Sequence, residues 1–404
     1  MSSATSIPST PPLKGLRVVD FSAMIAGPYC TRWLADLGAE VIKIEPPEGD
    51  HMRHRAPLRD GHSAYFGHLN SGKRCIVLDL KQAAAVELAR SLAAEADIVV
   101  EAFRPGVMAR LGLGAAQLRA RNPRLVHCAI SGFGQDSDLA HRPAYAPIVH
   151  AASGLDFALG EDAEGRPQGA NVPLADILTA MFACMSIQTA LLQRERTGQG
   201  TCIDVNLMDS VMNVLPYELQ AAQAGAAQPR PSYKPLRASD GWVLVTPINA
   251  RNFVRLCEAL GHPEWVDDPL LATDAARFRN WVEYMRRIES WTMQRTAAEC
   301  EAVLSDQGVP CSRYLRVEEA MQEPQFEQRK SFATITDGTH DYLTARLPFG
   351  FDGIRPQPGA RVAALGADTD AVLRERLSLT DADIDALAQA RAIVCTPQPS
   401  RRQP

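Results

Sequence analysis

The sequence predicts an α/β protein of two domains, with an open, mainly parallel sheet in the first. Three observations carry this expectation. The chain has 404 residues, more than one hydrophobic core usually organises. Over its first roughly 150 residues, short β-rich runs alternate with helical ones, the order that builds a parallel sheet. A passage rich in Ala, Gln, Gly and Pro, "QAAQAGAAQPRPSYKP", then separates this pattern from a second one.

The elements follow in order. "GLRVVDFS" is a β-rich run ending near Ser22, and "AGPYCTRWLADLG" is a helix with Pro28 in its first turn and Gly38 as its stop. "AEVIKIEPP" is a second strand closed by two prolines, which completes a βαβ unit with parallel pairing and a right-handed crossover. "KRCIVLDLK" adds a strand, "AAAVELARSLAAEA" a helix, "DIVVEAF" another strand, and "PRLVHCAISGFG" repeats the pattern. A long helix opens at Asp176, and in "TCIDVNLMDSV" the residues Ile203, Val205 and Leu207 alternate with polar neighbours as in a one-sided strand. The second domain begins with "GWVLVTPIN" and continues with the helical "NFVRLCEALG" and "AAECEAVLSDQG". From about Tyr342 the chain reads as irregular, until "DTDAVLRERLSLTDADIDALAQARA" supplies closing helices.

Composition narrows the function classes. The net charge of −5 comes from 42 basic and 47 acidic residues without a long run of one sign, which argues against a nucleic-acid surface. Nine scattered cysteines, with no CxxC pair, argue against a disulfide framework and a zinc site; they read as core thiols of a cytoplasmic protein. "MSSATSIPSTPPLKG" lacks the pattern of a signal peptide. Thr179, Ser186, Gln188 and Thr189 interrupt the long apolar helix, so it reads as core and not as a membrane span.

The residues suggest several sites, each with a plain structural alternative. Glu45 stands where a dinucleotide-binding unit keeps its ribose acid, but "FSAMIAGPY" lacks the glycines of a phosphate cradle. "SGFGQDS" reads as a turn. Lys81 and Arg104 fall at carboxyl ends of strands, where they either hold phosphates or are solvated charges; Lys73, Arg74 and Arg110 lie close by. Asp176 is either a helix N-cap or an ionised carboxylate, kept charged by the helix start, that attacks an activated acyl group. No spacing marks His127, His141 or His150 as a base or a metal ligand.

Taken together, "LKGLRVVDFSAMIAGPYCTRWLADLGAEVIKIEPPEGD", "NSGKRCIVLDLK", "ADIVVEAFRPGVMARLGLG" and "NPRLVHCAISGFG" resemble the class III CoA-transferases, with "LMDSVMNVL" and "GVPCSRYLRVEEAMQEPQF" later in the chain. The resemblance runs from about residue 13 to 385. It implies a large domain with a Rossmann-like parallel sheet, a smaller α/β domain, and an interlinked, ring-like homodimer. The implied division is 13–220 for the N-terminal part of the large domain, 221–340 for the small domain with its linkers, and 341–395 for the return, with flexible tails at 1–12 and 396–404.

The resemblance also implies chemistry. The family nucleophile is an aspartate that starts a helix after a Gly/Pro-rich loop; "GRPQGANVPLAD" matches it at Asp176. Ile25 and Ala26 match a segment beside the thioester. Leu78, Asp79, Leu80 and Lys81 match a nucleotide-binding stretch, as do Ala102, Phe103, Arg104 and Arg110, while Tyr145 and Ile25 would shape the acyl site. Coenzyme A and acyl-CoA enter as substrates with no tightly bound cofactor and no metal; a small carboxylic acid is the other partner, without nucleic acid or membrane. Succinyl-CoA is a common donor among relatives, and a short dicarboxylate or similar acid is the expected acceptor. Backbone N–H groups at the helix start would stabilise the oxyanions.

Departures separate the branches. Formyl-CoA transferases have Gln where Ile25 stands, a basic residue where Pro46 stands, and a glycine-rich loop with no counterpart between 221 and 250. The resemblance therefore does not carry formyl-CoA and oxalate over. α-Methylacyl-CoA racemases, an alternative reading, use a His where "PAYAP" has Tyr145, and a phenol is a poor proton shuttle near neutrality. A non-catalytic acyl-CoA-binding protein is the other alternative.

Overall fold

The computed structural model describes residues 10–225, 232–352 and 355–396. Most of the two expected tails, 1–9 and 397–404, lies outside the described residues, as does 226–231 in the Ala- and Pro-rich passage. The chain forms two compact units: one takes it up to Gln223 and again from Arg329, the other is Ala224–Gln328.

In the first unit, β1 (Arg17–Asp20), α1 (Ala26–Asp36) and β2 (Glu40–Glu45) form the expected βαβ. Gly38, at φ +102, turns the chain out of α1. A small hairpin, β3 (Leu58–Arg59) and β4 (His62–Ser63), leads to α2 (Ala64–Asn70), β5 (Arg74–Leu78), α3 (Ala83–Ala94) and β6 (Ile98–Glu101). Then follow α4 (Val107–Arg110), α5 (Ala115–Arg121), β7 (Val126–Ser131), α6 (Ala146–Ser153) and α7 (Leu155–Leu159). The long α8 (Leu174–Thr197) precedes β8 (Cys202–Asn206) and α9 (Leu207–Met212).

The strands pair in the order β5–β2–β1–β6–β7–β8, all parallel. Helices cover both faces, so successive strand residues enter different cores. Val18, Val41, Ile98 and Val100 pack under α1 and α8, whereas Val19, Ile42, Ile76 and Val99 pack under α3 and the closing helices. The sheet thus extends beyond the first 150 residues: β8 closes one edge, and the short strand Ile393–Val394 pairs antiparallel with β5 at the other. Leu207 does not continue β8. The Asn206 side chain accepts the Asp209 backbone N–H at 2.8 Å, which starts α9 at Leu207 and buries that residue in the core.

The second unit carries its own core. A three-stranded antiparallel sheet, β9 (Leu236–Arg237), β10 (Trp242–Val245) and β11 (Cys311–Arg313), packs through Val243 and Val245 on Phe253, Leu256, Ile288 and Leu304. Back in the first unit, the segment expected to be irregular from Tyr342 is part of a hairpin, β12 (Phe332–Thr336) with β13 (Asp341–Ala345). Its turn is held by Asp337, whose Oδ1 accepts the N–H groups of Thr339 and His340, both at 2.8 Å. Ile335 and Tyr342 bury against Met52, Phe66 and Leu69, behind the site described next.

Candidate active site

The site lies beyond the carboxyl ends of β1 and β2, where open parallel sheets bind ligands. Those ends carry a buried charge network. Asp20 at the end of β1 is bonded by Ser22, by Thr31 at 2.5 Å and by Lys73 at 3.1 Å. Together the two lysines and two hydroxyls outweigh the burial penalty and hold the Asp20 carboxyl below the usual range. Lys43 in β2 pairs with Asp50 at 3.0 Å and donates to the Ser22 carbonyl at 2.7 Å. Asp50 in turn accepts from Met24 N–H at 3.3 Å and Met52 N–H at 3.0 Å. One lysine and one aspartate thereby tie the loop after β1 to the 3-10 turn His51–His54 after β2.

This loop is tightly constrained. Met24 adopts φ +66, a conformation few side chains accept. A Cβ at Gly27 would lie 2.2 Å from the Ser22 Cβ, so only glycine lets α1 start this close to the end of β1.

Asp176 occupies the first turn of α8, but not as its cap. The N-cap is Pro173, which offers no side-chain acceptor, and Asp176 is the third helical residue. Among the described residues no group donates to its carboxylate. The helix-cap alternative is therefore overturned: proline already terminates the preceding loop, so the carboxylate is left free to face the cavity. The expected row of oxyanion donors also needs correction. The Leu174 N–H bonds to the Val172 carbonyl at 2.8 Å, and the Ala175 N–H bonds to Nε2 of buried His150 at 3.0 Å. Of these first three amides, only that of Asp176 itself remains free among the described residues.

Asp176 shares a cavity of about 730 Å³ with Met24, Ile25, His51, Met52, His54, Arg55, Tyr65, Tyr145, Ala146, Pro147, Asn171 and Pro173. It is the one acid on that wall. Burial pushes its pKa up to about 6, so desolvation outweighs the field of the helix start. The carboxylate is still mainly ionised at neutral pH. Burial first, then the nearby Asp176 charge, raises the pKa of Tyr65, which stands in the cavity as a neutral phenol.

The remaining expected residues divide into groups. Ile25 and Tyr145 are in the Asp176 cavity. Leu78, Asp79, Leu80, Lys81 and Phe103 line a second cavity of about 410 Å³, together with Pro46 and Lys43. Ala102, Phe103, Arg104 and Tyr145 line a third, of about 230 Å³, which also takes in Arg142. The third shares Met24 and Tyr145 with the first, and Ala23 and Phe103 with the second, so the three adjoin. Ala26 is instead the first residue of α1, buried in the core, and lines none of these three. Arg110, exposed on α4, also lines none of them; its guanidinium lies beside Gly106. Lys81, Arg104 and Arg110 form no ion pair among the described residues. Lys73 and Arg74 are engaged, the first with Asp20 and the second with Glu40 and Glu375. Glu45 is buried against Arg53 at 2.6 Å, which removes it as a ribose ligand.

Sequence reasoning missed His51, His54, Arg55, Tyr65, Arg142 and Asn171, and the bond of His150 to α8. One signal was present: "DHMRHR" places four basic side chains, His51, Arg53, His54 and Arg55, within five positions, shortly after the end of a strand.

Known proteins share this architecture. A CaiB/BaiF family protein from Brucella suis superposes with a TM-score of 0.81 at 33% identity, covering 91% of this chain and 100% of that one. The protein Rv3272 from Mycobacterium tuberculosis gives a TM-score of 0.80 at 29% identity, with 89% and 99% covered. A formyl-CoA:oxalate CoA-transferase from Escherichia coli O6:H1 is 32% identical across 95% of this chain and 99% of its own length. Residues 13–369 match CoA-transferase family III. With that match over most of its length, the chain belongs to CoA-transferase family III and is an enzyme that transfers coenzyme A.

Proposed function

We propose that this enzyme moves CoA from an acyl-CoA to a free carboxylic acid through covalent intermediates on Asp176. The observation that carries the reading is the solitary, half-buried carboxylate of Asp176 in the cavity, ionised at neutral pH yet without a hydrogen-bond donor among the described residues. A desolvated carboxylate is a stronger nucleophile than a hydrated one.

The Asp176 carboxylate attacks the donor thioester carbonyl and expels CoA thiolate, which leaves a mixed anhydride. The thiolate attacks the Asp176 carbonyl of that anhydride, forming an aspartyl-CoA thioester and releasing the donor acid. The acceptor carboxylate attacks this thioester, expelling thiolate and forming a second anhydride. Thiolate then attacks the acceptor's carbonyl, giving the new acyl-CoA and restoring Asp176. Each step exchanges one acyl bond for another of similar energy, so no external energy source enters. The Asp176 amide and the Tyr65 hydroxyl are the donors available to the oxyanions, each typically worth about 2.7–4 kcal/mol.

In the same reading, Lys81, Arg104 and Arg110 hold CoA phosphates, their lack of acidic partners among the described residues being the support. Leu78, Asp79, Leu80, Ala102 and Phe103 line the path of the nucleotide, and Ile25 and Tyr145 shape the acyl end. Ala26 contributes at most backbone. Succinyl-CoA is the donor to test first. The interlinked homodimer belongs to this proposal as well; the exposed Met181, Met185 and Leu192 leave α8 an apolar face for a second copy.

The test is to incubate the enzyme with panels of acyl-CoAs and acids, follow exchange by mass spectrometry, and trap the enzyme with hydroxylamine. Acyl-CoA-dependent modification of Asp176 is expected. Turnover that survives Asp176→Asn would sink the covalent scheme. Proton exchange at the α-carbon without an acceptor acid would instead favour a racemase, and CoA binding without any turnover a non-catalytic binding protein.

A further inference from the structure

The acyl transfer proposed above leaves one wall of the Asp176 cavity unused, and that wall is basic. Four residues, His51, Met52, His54 and Arg55, form it from the 3-10 turn His51–His54 and the residue that closes it. Asp50 caps the turn by accepting the Met52 N–H. Met52 is buried with Phe66 and Leu69. Arg53 is tied down: Nη2 and Nε bond to the Glu45 carboxylate at 2.6 and 2.8 Å, Nη1 donates to the Ala363 carbonyl at 3.1 Å, and its guanidinium lies 3.9 Å from the Phe66 ring centre. These anchors fix the turn so that His51, His54 and Arg55 line the cavity.

Arg55 is held at its backbone and free at its head. Its N–H bonds to the Met52 carbonyl at 3.2 Å and its carbonyl accepts from Ser63 Oγ at 2.6 Å. Among the described residues its guanidinium has no carboxylate partner. Nor does it neutralise Asp176, whose ionisation responds to burial and to no nearby cation. One cavity therefore holds an anion and a cation that do not pair with each other. A ligand with a reactive carboxyl at Asp176 and a second anionic group at its other end would satisfy both.

We propose that Arg55, flanked by His51 and His54, binds the distal carboxylate of a short dicarboxylic acid and selects dicarboxylates over monocarboxylates as acyl groups. The inference rests on acyl transfer at Asp176. A bidentate guanidinium–carboxylate contact gives both orientation and discrimination, whereas a monocarboxylic acid of equal length would leave Arg55 in water.

Internal competition isolates this step. Equimolar glutarate and valerate, equal in carbon number, compete for one acyl-CoA donor, and the ratio of the two product thioesters is read by mass spectrometry. Effects on the donor half-reaction cancel in that ratio. The native enzyme should favour glutaryl-CoA, Arg55→Met should lower the ratio by about 10- to 100-fold, and Arg55→Lys should restore part of it. A ratio unchanged in Arg55→Met, or a native enzyme without preference for the diacid, overturns the proposal while leaving acyl transfer intact. Exchange of no acid in the wider panel by the native enzyme, or exchange surviving in Asp176→Asn, refutes the transfer scheme itself. Arg55 is exposed, so its variants should retain the native thermal melt, which is checked alongside.

Discussion

At the residue scale, Asp176 is set between two opposing influences. The helix start favours the charged form and burial disfavours it; burial prevails and raises the pKa to about 6. If the ionised form is the nucleophile, kcat/KM should fall about tenfold per pH unit below about 6, measurable from rate profiles with a single acyl-CoA. The same shift has a consequence for stability. A carboxyl whose folded pKa lies above its unfolded value destabilises the fold wherever it is charged in both states. That penalty is fully present above about pH 6 and disappears below the ordinary value near ~3.9. Asp176→Asn should therefore abolish transfer yet raise stability by about 1–2 kcal/mol at pH 8, with no gain at pH 3.5, in denaturant titrations at the two pH values.

At the element scale, the site depends on how α8 and the loop after β1 are begun. His150 supplies the acceptor for the second amide of α8, and that bond is buried. His150→Leu leaves an unpaired N–H beside Asp176 and should cost about 1–3 kcal/mol in chemical denaturation, with kcat reduced more than KM is raised. Lys43 is the tie between the two loops. Lys43→Met leaves Asp50 charged, buried and unpaired, and should destabilise the protein by about 3–5 kcal/mol in the same measurement. Much of this scale was legible in the sequence. The βαβ, the long helix and the closing helices follow from periodicity and from Pro28 and Gly38. The misreadings, Leu207 as strand and 341–345 as irregular, share a cause. Each was decided by a side chain, Asn206 or Asp337, that bonds the backbone locally and overrides the apolar pattern.

At the scale of the whole molecule, the proposed homodimer predicts a light-scattering mass near twice that of one chain; a mass of one chain would refute it. The apolar α8 is long enough to cross a membrane by composition. Its N-terminus nevertheless forms the wall of the site, and its Ala180, Ala183 and Ile187 bury in the core under β7 and α1. The sequence by itself determined the alternation of strands and helices, the position of Asp176 at a helix start, and the strings that resemble class III CoA-transferases. These are local properties, written in the spacing of apolar residues and in contiguous motifs. Only the tertiary structure decided that residues near 24, 51–55, 65, 145 and 176 share one cavity, that Asp176 is uncapped, and that Ala26 and Arg110 stand apart from it. Strand order places those loops side by side, and strand order arises from packing between distant segments, which no local period records.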